Sequence, residues 1–370
     1  MKEWIEAMGG VENAAGAIAP AIRALFKRDE QVLVSFDEKS PSGDAADLTL
    51  VIKACDTLDA VYANLQQASA QGARPCHIIV EDVGAFTLTE PSSKRGTRLA
   101  GRISMVTGGA QGFGEGIARE LAVSGATLVI ADMNLALAET VAASLNDKHG
   151  AGTAVALAVD VGDEASVQNL IQQTVLRFGG LDLLVSNAGV LRAGGLEEMT
   201  LQAFEFVTRI NYTAFFLVTK YASRPMKIQA RFDEAYTSDI VQINSKSGLE
   251  GSNKNFAYAG GKFGGIGLVQ SFAKELVEHR IKVNAICPGN YYEGPLWNDP
   301  EKGLFVQYLK AGKVPGAKTV QNVYDFYVAK VPMRRGCSPS DVTKAILYCV
   351  EQLYETGQAI PVTGGQNMLK

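Results

Sequence analysis

Three side chains in the second half of the chain are of types that can move a proton. Tyr258 and Lys262 stand four positions apart in a helix-like pattern, so they share one face, and Ser245 precedes them. A free phenol has a pKa of about 10, too high for a base at neutral pH, and a neighbouring ammonium lowers that pKa. The Ser245 hydroxyl can hydrogen-bond a substrate oxygen and stabilise its developing charge. The three residues predict acid–base chemistry on an alcohol or carbonyl.

Tyrosine–lysine pairs at this spacing also occur on exposed helix faces, where they do no chemistry. Small residues surround this pair and predict close backbone packing, which an exposed face does not need. They are Ala257, Gly260, Gly261, Gly264 and Gly265. Asn211, in the helix before the strand that leads to Ser245, is a candidate for anchoring a water between Lys262 and solvent.

A glycine loop earlier in the chain suits a dinucleotide pyrophosphate. It reads Thr107-Gly-Gly-Ala-Gln-Gly-Phe-Gly114 and lies between an apolar strand and a helical pattern. A pyrophosphate needs backbone N–H donors at a helix start and no side chains in the way. Tight turns use glycine too, so the position after a strand carries the prediction. The candidate cofactor contacts here are Gly108, Gln111, Gly112, Phe113 and Gly114.

An acid at the end of the next strand indicates which dinucleotide binds. Asp132 lies about 20 residues beyond the loop, where a carboxylate can accept hydrogen bonds from the adenosine ribose. It would repel a 2′-phosphate, and Met133 and Asn134 follow instead of an arginine, so we expect NAD rather than NADP. Further candidate cofactor contacts lie at other strand ends: Asp160 and Val161, then Asn187, Ala188 and Gly189, then Pro288 and Gly289. Taken alone, each of these is equally consistent with a simple turn.

Alternating strand and helix patterns must position these groups. Strands are expected at residues 103–107, 128–131, 155–159, 181–186, 240–244, 282–286 and 359–363. This predicts an α/β fold with a doubly wound parallel sheet, which binds ligands at the carboxyl ends of its strands. We expect the dinucleotide-binding domain to span residues 97–370, with a substrate lid at about 290–335.

Residues 1–96 are expected to form a small N-terminal α/β extension. Its boundary falls in a polar, turn-rich stretch near residues 90–96. Helices are expected at 11–27 and 57–71, and strands at 31–36, 47–53 and 77–81. No phosphate loop, metal pattern or nucleophile–base pair stands out, so a structural or oligomer-contact role is the prediction.

The composition narrows the class of protein. The chain has 370 residues, 47% of them hydrophobic and 20% charged, and a net charge of -4. These values are typical of a globular protein and do not favour nucleic acid as a partner. No stretch resembles a leader or a membrane span, and five scattered cysteines suggest reduced thiols, so we expect a cytoplasmic protein. Three histidines share no spacing with cysteines or acids, so no metal site is expected.

Together these motifs resemble the short-chain dehydrogenase/reductase superfamily. The glycine loop, Asn187-Ala-Gly189, Asn211, Ser245 and Tyr258-x-x-x-Lys262 stand in the expected order, and the resemblance runs from about residue 99 to 370. It implies a Rossmann-type domain in a homo-oligomer, either a tetramer or a dimer. It also implies Tyr258 as general acid/base, Lys262 on the nicotinamide ribose, Ser245 orienting substrate and Asn211 in the proton relay. Phe113 departs from the pattern, which usually has a smaller aliphatic residue there.

A narrower resemblance bears on the substrate. Residues 243–248, 251–252, 262–265, 330–337 and 362–366 are similar to those of the sorbitol-6-phosphate 2-dehydrogenase group. That likeness implies NAD-dependent interconversion of sorbitol 6-phosphate and fructose 6-phosphate. A basic excess in the lid suits such an anionic substrate. The basic residues are Lys302, Lys310, Lys313, Lys318, Lys330, Arg334 and Arg335.

Two alternatives stay open at this point. If the lid lysines are merely solvated, the enzyme is a reductase for an uncharged sugar or another carbonyl compound. The other alternative is a non-catalytic, dinucleotide-responsive binding protein whose N-terminal extension is the working surface. The presence of all four candidate catalytic side chains disfavours the hypothesis of a non-catalytic binding protein.

Overall fold

The computed structural model describes residues 2–28, 31–39, 48–92, 96–310 and 312–368. The strands are β1 (Leu33–Asp37), β2 (Thr49–Ile52), β3 (His77–Val80), β4 (Gly84–Thr89), β5 (Ile103–Thr107), β6 (Thr127–Asp132), β7 (Ala154–Ala158), β8 (Leu183–Ser186), β9 (Ser238–Ile243), β10 (Ile281–Pro288) and β11 (Ala359–Val362). The helices are α1 (Glu3–Ala7), α2 (Val11–Leu25), α3 (Leu58–Ala70), α4 (Gly112–Val123), α5 (Leu135–His149), α6 (Glu164–Phe178), α7 (Leu201–Thr208), α8 (Ala214–Phe232), α9 (Phe256–Leu276), α10 (Pro295–Asn298), α11 (Leu304–Lys310), α12 (Val320–Ala329) and α13 (Pro339–Glu351).

A seven-stranded parallel sheet forms the centre of the molecule, in the order β11-β10-β9-β8-β5-β6-β7. Continuous apolar runs such as β5 and β10 are buried along their whole length, because helices cover both faces. The doubly wound prediction is confirmed, and each predicted strand is present with its ends displaced by at most two residues. Strand order reverses between β5 and β8, which is where such sheets open a ligand crevice.

The first part of the chain forms a second, four-stranded sheet in the order β1-β4-β3-β2. The predicted strands at 31–36 and 77–81 are present as β1 and β3, and the described part of the one predicted at 47–53 is β2. Strand β4 was not predicted. It pairs with β3 through a short turn in which Asp82 has a φ of 68°, and that turn lacks the Asn-Gly or Asp-Gly signal of a tight hairpin.

The two sheets share one apolar core. Helix α2 buries Ile18 and Ile22 completely, and its neighbours include α6 and α8 of the larger sheet's helical layer. The same buried cluster contains Val34 and Phe86 of the small sheet together with Ile103 and Leu184 of the large one. The domain division at residue 96 stays a prediction, and residues 93–95 of its boundary lie outside the described residues.

An aromatic cluster organises the segment between β10 and α13. Short helices α10, α11 and α12 pack around Tyr292, Trp297 and Phe305, whose rings lie 5.0–5.8 Å apart. Trp297 and Phe305 also contact Tyr308 and Tyr324. This segment therefore has an apolar core of its own. Among the described helices, none is long and apolar enough to cross a membrane.

Candidate active site

The glycine loop joins β5 to α4 with its backbone in close contact with the turn after β8. Gly108 has a φ of 63°, and a Cβ there would lie 2.9 Å from the Ala188 Cα. A Cβ on Gly114 would lie 1.9 Å from the Gly108 carbonyl oxygen. Glycine is therefore required at both positions. No described side chain caps the start of α4 at Gln111, so its first N–H groups are available to an anion.

Asn187 fixes this loop from the neighbouring strand. Its Nδ2 donates to the carbonyl oxygens of Thr107 and Gly108, each at 3.0 Å. The Thr107 hydroxyl accepts from the backbone N–H of Asn187 at 3.0 Å and of Ala188 at 3.2 Å. The predicted turn at residues 187–189 thus lies against the glycine loop, and Gly189 is exposed next to it. Sequence reasoning missed the part played by Thr107.

Asp132 ends β6 beside the same loop. Its Oδ2 accepts from the backbone N–H of Ala110 at 3.0 Å, and its Oδ1 accepts from that of Asn134 at 3.0 Å. A carboxylate oxygen has two acceptor sites, so both oxygens can still accept from a ribose. Asp160 Oδ1 accepts from the N–H of Gly162 at 2.8 Å, and Val161 is buried beside it.

Ser245, Tyr258 and Lys262 meet at the carboxyl end of β9. Ser245 begins a 3-10 turn at Lys246–Gly248, and its Oγ accepts from the Ser247 N–H at 3.1 Å. Tyr258 and Lys262 lie one turn apart near the start of α9. Lys262 is only 5% exposed, and its ammonium donates to the Ile243 carbonyl at 2.8 Å, 5.6 Å from the Tyr258 ring centroid. The fold therefore brings together the three residues that the sequence pattern singled out.

The predicted close packing of α9 is present at Gly264 and Gly265 but not at Gly260, which is exposed with open space where a Cβ would lie. A Cβ on Gly265 would lie 2.6 Å from the Gln242 amide, and one on Gly264 would lie 2.8 Å from the Tyr212 ring. Asn244, which is buried, joins the helix to the strand end. Its Nδ2 donates to the Lys262 carbonyl at 2.9 Å, and its Oδ1 accepts from the Ser245 N–H at 2.8 Å. Sequence reasoning missed Asn244; the only signal in the sequence was an asparagine directly before Ser245 at the end of a predicted strand.

The expected effect of Lys262 on Tyr258 is corrected by the structure. Burial raises the pKa of Tyr258, and the hydrogen bond with Ser245 opposes that rise. The Lys262 ammonium donates to the Ile243 carbonyl rather than to the phenol. Burial lowers the pKa of Lys262 itself to about 8. Cys287 lies in the same buried pocket, where burial raises the pKa of its thiol to about 11 and Lys262 partly opposes this.

Asn211 lies in a π-helical turn, Arg209–Thr213, between α7 and α8. Its Nδ2 donates to the carbonyls of Val190 at 2.7 Å and Val207 at 3.1 Å, and its Oδ1 accepts from the Val190 N–H at 3.2 Å. The side chain is therefore engaged with backbone next to the 187–189 turn. π-helical turns are frequent at functional sites because they displace the backbone hydrogen-bond pattern.

The segment after β10 closes the site from the other side. Pro288 and Gly289 are buried, and the Gly289 N–H donates to the Val362 carbonyl at 2.9 Å. Tyr291 then stacks on Phe113 of the glycine loop, with ring centroids 4.9 Å apart. Phe113, the residue that departs from the superfamily pattern, thus forms a direct contact between the glycine loop and the segment after β10.

A cavity of about 440 Å³ opens beyond Gly289, between the ends of β10 and β11 and the segment after α12. Asn290, Gln366 and Asn367 contribute polar side chains to its wall, and Val331 contributes an apolar one. Arg335 also lines the cavity, but its guanidinium is paired with Asp341 at 2.9 Å. This pairing removes one of the lid cations from the set available to an anion.

A doubly wound sheet with a glycine loop at the β5–β8 reversal and a serine, tyrosine and lysine at the end of β9 defines a class of oxidoreductase. The family model for short chain dehydrogenase matches residues 102–299. The chain belongs to this family, and the predicted superfamily resemblance is confirmed.

Particular relatives refine the comparison. The chain is 34% identical over 270 residues to sorbitol-6-phosphate 2-dehydrogenase of Escherichia coli, an alignment covering 72% of this chain and 99% of the relative. The crystal structure of sorbitol-6-phosphate 2-dehydrogenase SrlD from Erwinia amylovora has 36% identity and a TM-score of 0.65, covering 72% of this chain and all of the other. The RhlG/NADP active-site complex of Pseudomonas aeruginosa has 26% identity and a TM-score of 0.62, covering 75% and 99% of the two chains.

Proposed function

We propose that the protein is an NAD-dependent polyol dehydrogenase that interconverts sorbitol 6-phosphate and fructose 6-phosphate. The observation that carries this proposal is the meeting of Ser245, Tyr258 and Lys262 at the strand ends beside the glycine loop. The relatives named sorbitol-6-phosphate 2-dehydrogenase support the choice of substrate.

The groove fits a dinucleotide in its backbone geometry. Gly108 and Gly114 leave a cradle that a Cβ would fill, and the uncapped start of α4 offers N–H groups to the pyrophosphate. Asp132 would accept from the adenosine ribose hydroxyls and would repel a 2′-phosphate, which favours NAD. Asp160, Val161 and the 187–189 turn would border the adenosine and its ribose, and Gly289 would border the nicotinamide. When bound, a nicotinamide accepts or returns the hydride.

The chain's own residues handle the proton. In the oxidative direction Tyr258 takes the hydroxyl proton as the C–H hydride leaves the same carbon, so a C=O bond forms and charge balances. Because burial raises the pKa of Tyr258 without a cofactor, the site must become more positive before the phenolate can act. Lys262 would supply that charge by leaving the Ile243 carbonyl for the nicotinamide ribose and the phenol. Ser245 would hold the substrate oxygen, and Asn211 would order the water that returns protons from solvent.

The test is a substitution that removes only the phenolic oxygen. Tyr258→Phe should lose nearly all kcat while NADH binding stays close to that of the native enzyme, because the ring packing is kept. Steady-state rates with sorbitol 6-phosphate and fluorescence titration with NADH measure the two quantities. Turnover by Tyr258→Phe at near-native rates would rule out this mechanism.

Cofactor and substrate choice need separate assays. We expect kcat/KM to be higher with NAD than with NADP. Asp132→Ala should reduce this preference for NAD because it removes the carboxylate that repels the 2′-phosphate. We expect sorbitol 6-phosphate to be preferred over sorbitol. Preference for the free polyol would favour a reductase for uncharged sugars, and tight NADH binding without turnover would favour a binding protein.

We also propose a homo-oligomer, as a tetramer or dimer. Phe216 on α8 and Phe263 on α9 are 43% and 47% exposed, large apolar side chains that a second copy could cover. Light scattering of the full chain measures the assembly, and a monomer at micromolar concentration would reject this part of the proposal.

A further inference from the structure

Lys246 directly follows Ser245 and begins the 3-10 turn at the end of β9. Its side chain is half-buried. Within the described residues its ammonium makes no hydrogen bond and no ion pair. An ammonium that loses part of its hydration without gaining a partner is costly, so this lysine is poised to receive an anion.

Two charged groups act on Lys246 from neighbouring segments. Burial lowers its pKa, Glu250 opposes that change and the positive charge of Lys330 adds to it. Within the described residues Glu250 forms no ion pair with Lys246, and its exposed carboxylate accepts from the Asn367 side chain at 2.6 Å. The net environment of the Lys246 ammonium therefore favours an added negative charge.

Lys330 approaches from the end of α12. Its ammonium lies 4.1 Å from the Phe326 ring centroid and 5.0 Å from that of Tyr327. Ring faces attract an ammonium without using its N–H donors, so these remain available. Among the described residues it has no carboxylate partner. The two lysines thus act on each other, and among the described residues neither ammonium forms an ion pair.

Residues connected to both lysines line the cavity beyond Gly289. Val331, next to Lys330, lines that cavity, and so does Asn367, which holds Glu250. The Met333 N–H donates to the Gly364 carbonyl at 3.2 Å, so the segment after α12 is tied to the chain after β11. The cavity wall itself offers amide groups suited to hydroxyls. The hydroxyls of a polyol could hydrogen-bond these amide groups, and a negatively charged group on the same molecule could bind the two lysines.

We infer that Lys246 and Lys330 bind the phosphate group of the substrate, with the polyol chain extending from them toward Ser245. This inference rests on the proposed function and adds the residues that would select a phosphorylated substrate. A phosphate dianion would offer each ammonium a charge-assisted hydrogen bond and would offset their mutual repulsion. Lys246 is a neighbour of Ser245 in the turn, so the two can hold different groups of one extended substrate.

The decisive comparison is between a phosphorylated and a free polyol. Lys246→Met and Lys330→Met keep the apolar stem and remove the charge, and Lys344→Met on α13 is a matched control with an exposed lysine. For Lys246→Met we expect kcat/KM with sorbitol 6-phosphate to fall at least about tenfold, mainly through KM, with a smaller fall for Lys330→Met. Turnover of sorbitol should be unchanged in both variants, and the control should match the native enzyme.

Calorimetric titration with inorganic phosphate tests the subsite without turnover. We expect the native protein to bind phosphate more tightly than Lys246→Met does. If the native enzyme oxidises neither polyol, the proposed function fails, while this titration still decides the role of the lysines. Equal phosphate affinity in the two proteins, an unchanged KM for sorbitol 6-phosphate, or equal losses with both polyols would overturn the inference. Equal losses would mean that Lys246 acts only by supporting Ser245.

Discussion

The Arg23 guanidinium donates two hydrogen bonds to the Asp182 carboxylate, at 2.8 and 2.7 Å, across 159 positions of the chain. Both side chains are buried, at 0% and 2% exposure. Arg23 also donates to the carbonyl oxygens of Val32 and Gly101, each at 2.9 Å. Asp182 in turn accepts from the Ile103 N–H at the start of the first strand of the large sheet. Helix α2 is thereby fixed to the base of the seven-stranded sheet.

Removing one partner of this pair should be strongly destabilising. Arg23→Met leaves the Asp182 charge buried without a counter-ion, which costs about 3–5 kcal/mol. Arg23→Met/Asp182→Asn should recover part of that loss, because no charge then remains buried. Urea unfolding of the native, single and double variants measures the free energy of unfolding. Arg231→Met is a control at an exposed ion pair, expected to lie within about 1 kcal/mol of the native protein. An equally small loss for Arg23→Met would contradict the prediction.

The same pair predicts a pH dependence. Burial alone would raise the pKa of Asp182, but the charge and hydrogen bonds of Arg23 outweigh burial and lower it. A lowered pKa stabilises the folded state above the unfolded value of about 4, and the contribution is lost as pH falls further. In Arg23→Met burial dominates, so the carboxylate is destabilising at neutral pH and is relieved by protonation. The stability gap between native protein and Arg23→Met should therefore narrow as pH falls toward 4 and below. A constant gap would exclude this linkage.

Deleting residues 1–96 should abolish folding of the remainder rather than release an active dehydrogenase. The deletion would expose the apolar surface that α2 covers on α6 and α8. It would also leave the buried Asp182 carboxylate without its partner Arg23. We expect an aggregated product, or one without a cooperative unfolding transition in circular dichroism. A deletion of residues 2–8, which removes only α1, is the milder comparison. A soluble truncated enzyme with native kcat would show that the extension is dispensable.

The positions of the strands along the chain and the glycine loop could be predicted from the sequence because both depend on local signals. Apolar runs such as residues 103–107 specify buried strands, and Gly108 and Gly114 specify a close backbone approach. The Ser245, Tyr258 and Lys262 set followed from spacing on one helix and one strand end.

The remaining features depend on contacts between segments far apart in sequence. Nothing near Arg23 indicates that Asp182 is its partner, so the sequence did not predict how closely the N-terminal extension shares the apolar core of the large sheet. The predicted direction of the Tyr258 pKa shift was also wrong, because the burial that raises this pKa is a tertiary feature. Strand β4 was missed because its turn at Asp82 has no glycine signal.

The contact of Phe113 with Tyr291 should strengthen cofactor binding. The two tilted rings join the glycine loop to the segment after β10, and such pairs contribute about 0.5–1.5 kcal/mol. Phe113→Leu should weaken NADH binding by about two- to tenfold, measured by fluorescence titration. Tyr291→Leu should weaken NADH binding to the same extent. The double variant should bind NADH little more weakly than either single variant, because each single substitution already removes the same ring contact. Tyr354→Leu, at a fully exposed aromatic, is the control. Additive losses would mean that the two rings act separately.

Lys262 should make stability rise with pH above neutrality. Burial lowers its pKa from 10.5 to about 8, so between these values the unfolded chain binds more protons than the folded one. The buried ammonium is fully destabilising below pH 8, and this effect disappears as pH rises to about 10.5. Relative to Lys262→Met, the native protein should therefore gain roughly 3 kcal/mol between pH 7 and 10.5. Lys274 is an exposed lysine on the same helix α9, and the free energy of unfolding of Lys274→Met should change with pH as that of the native protein does. Urea unfolding at several pH values measures all three proteins, and a native curve parallel to that of Lys262→Met would contradict the lowered pKa.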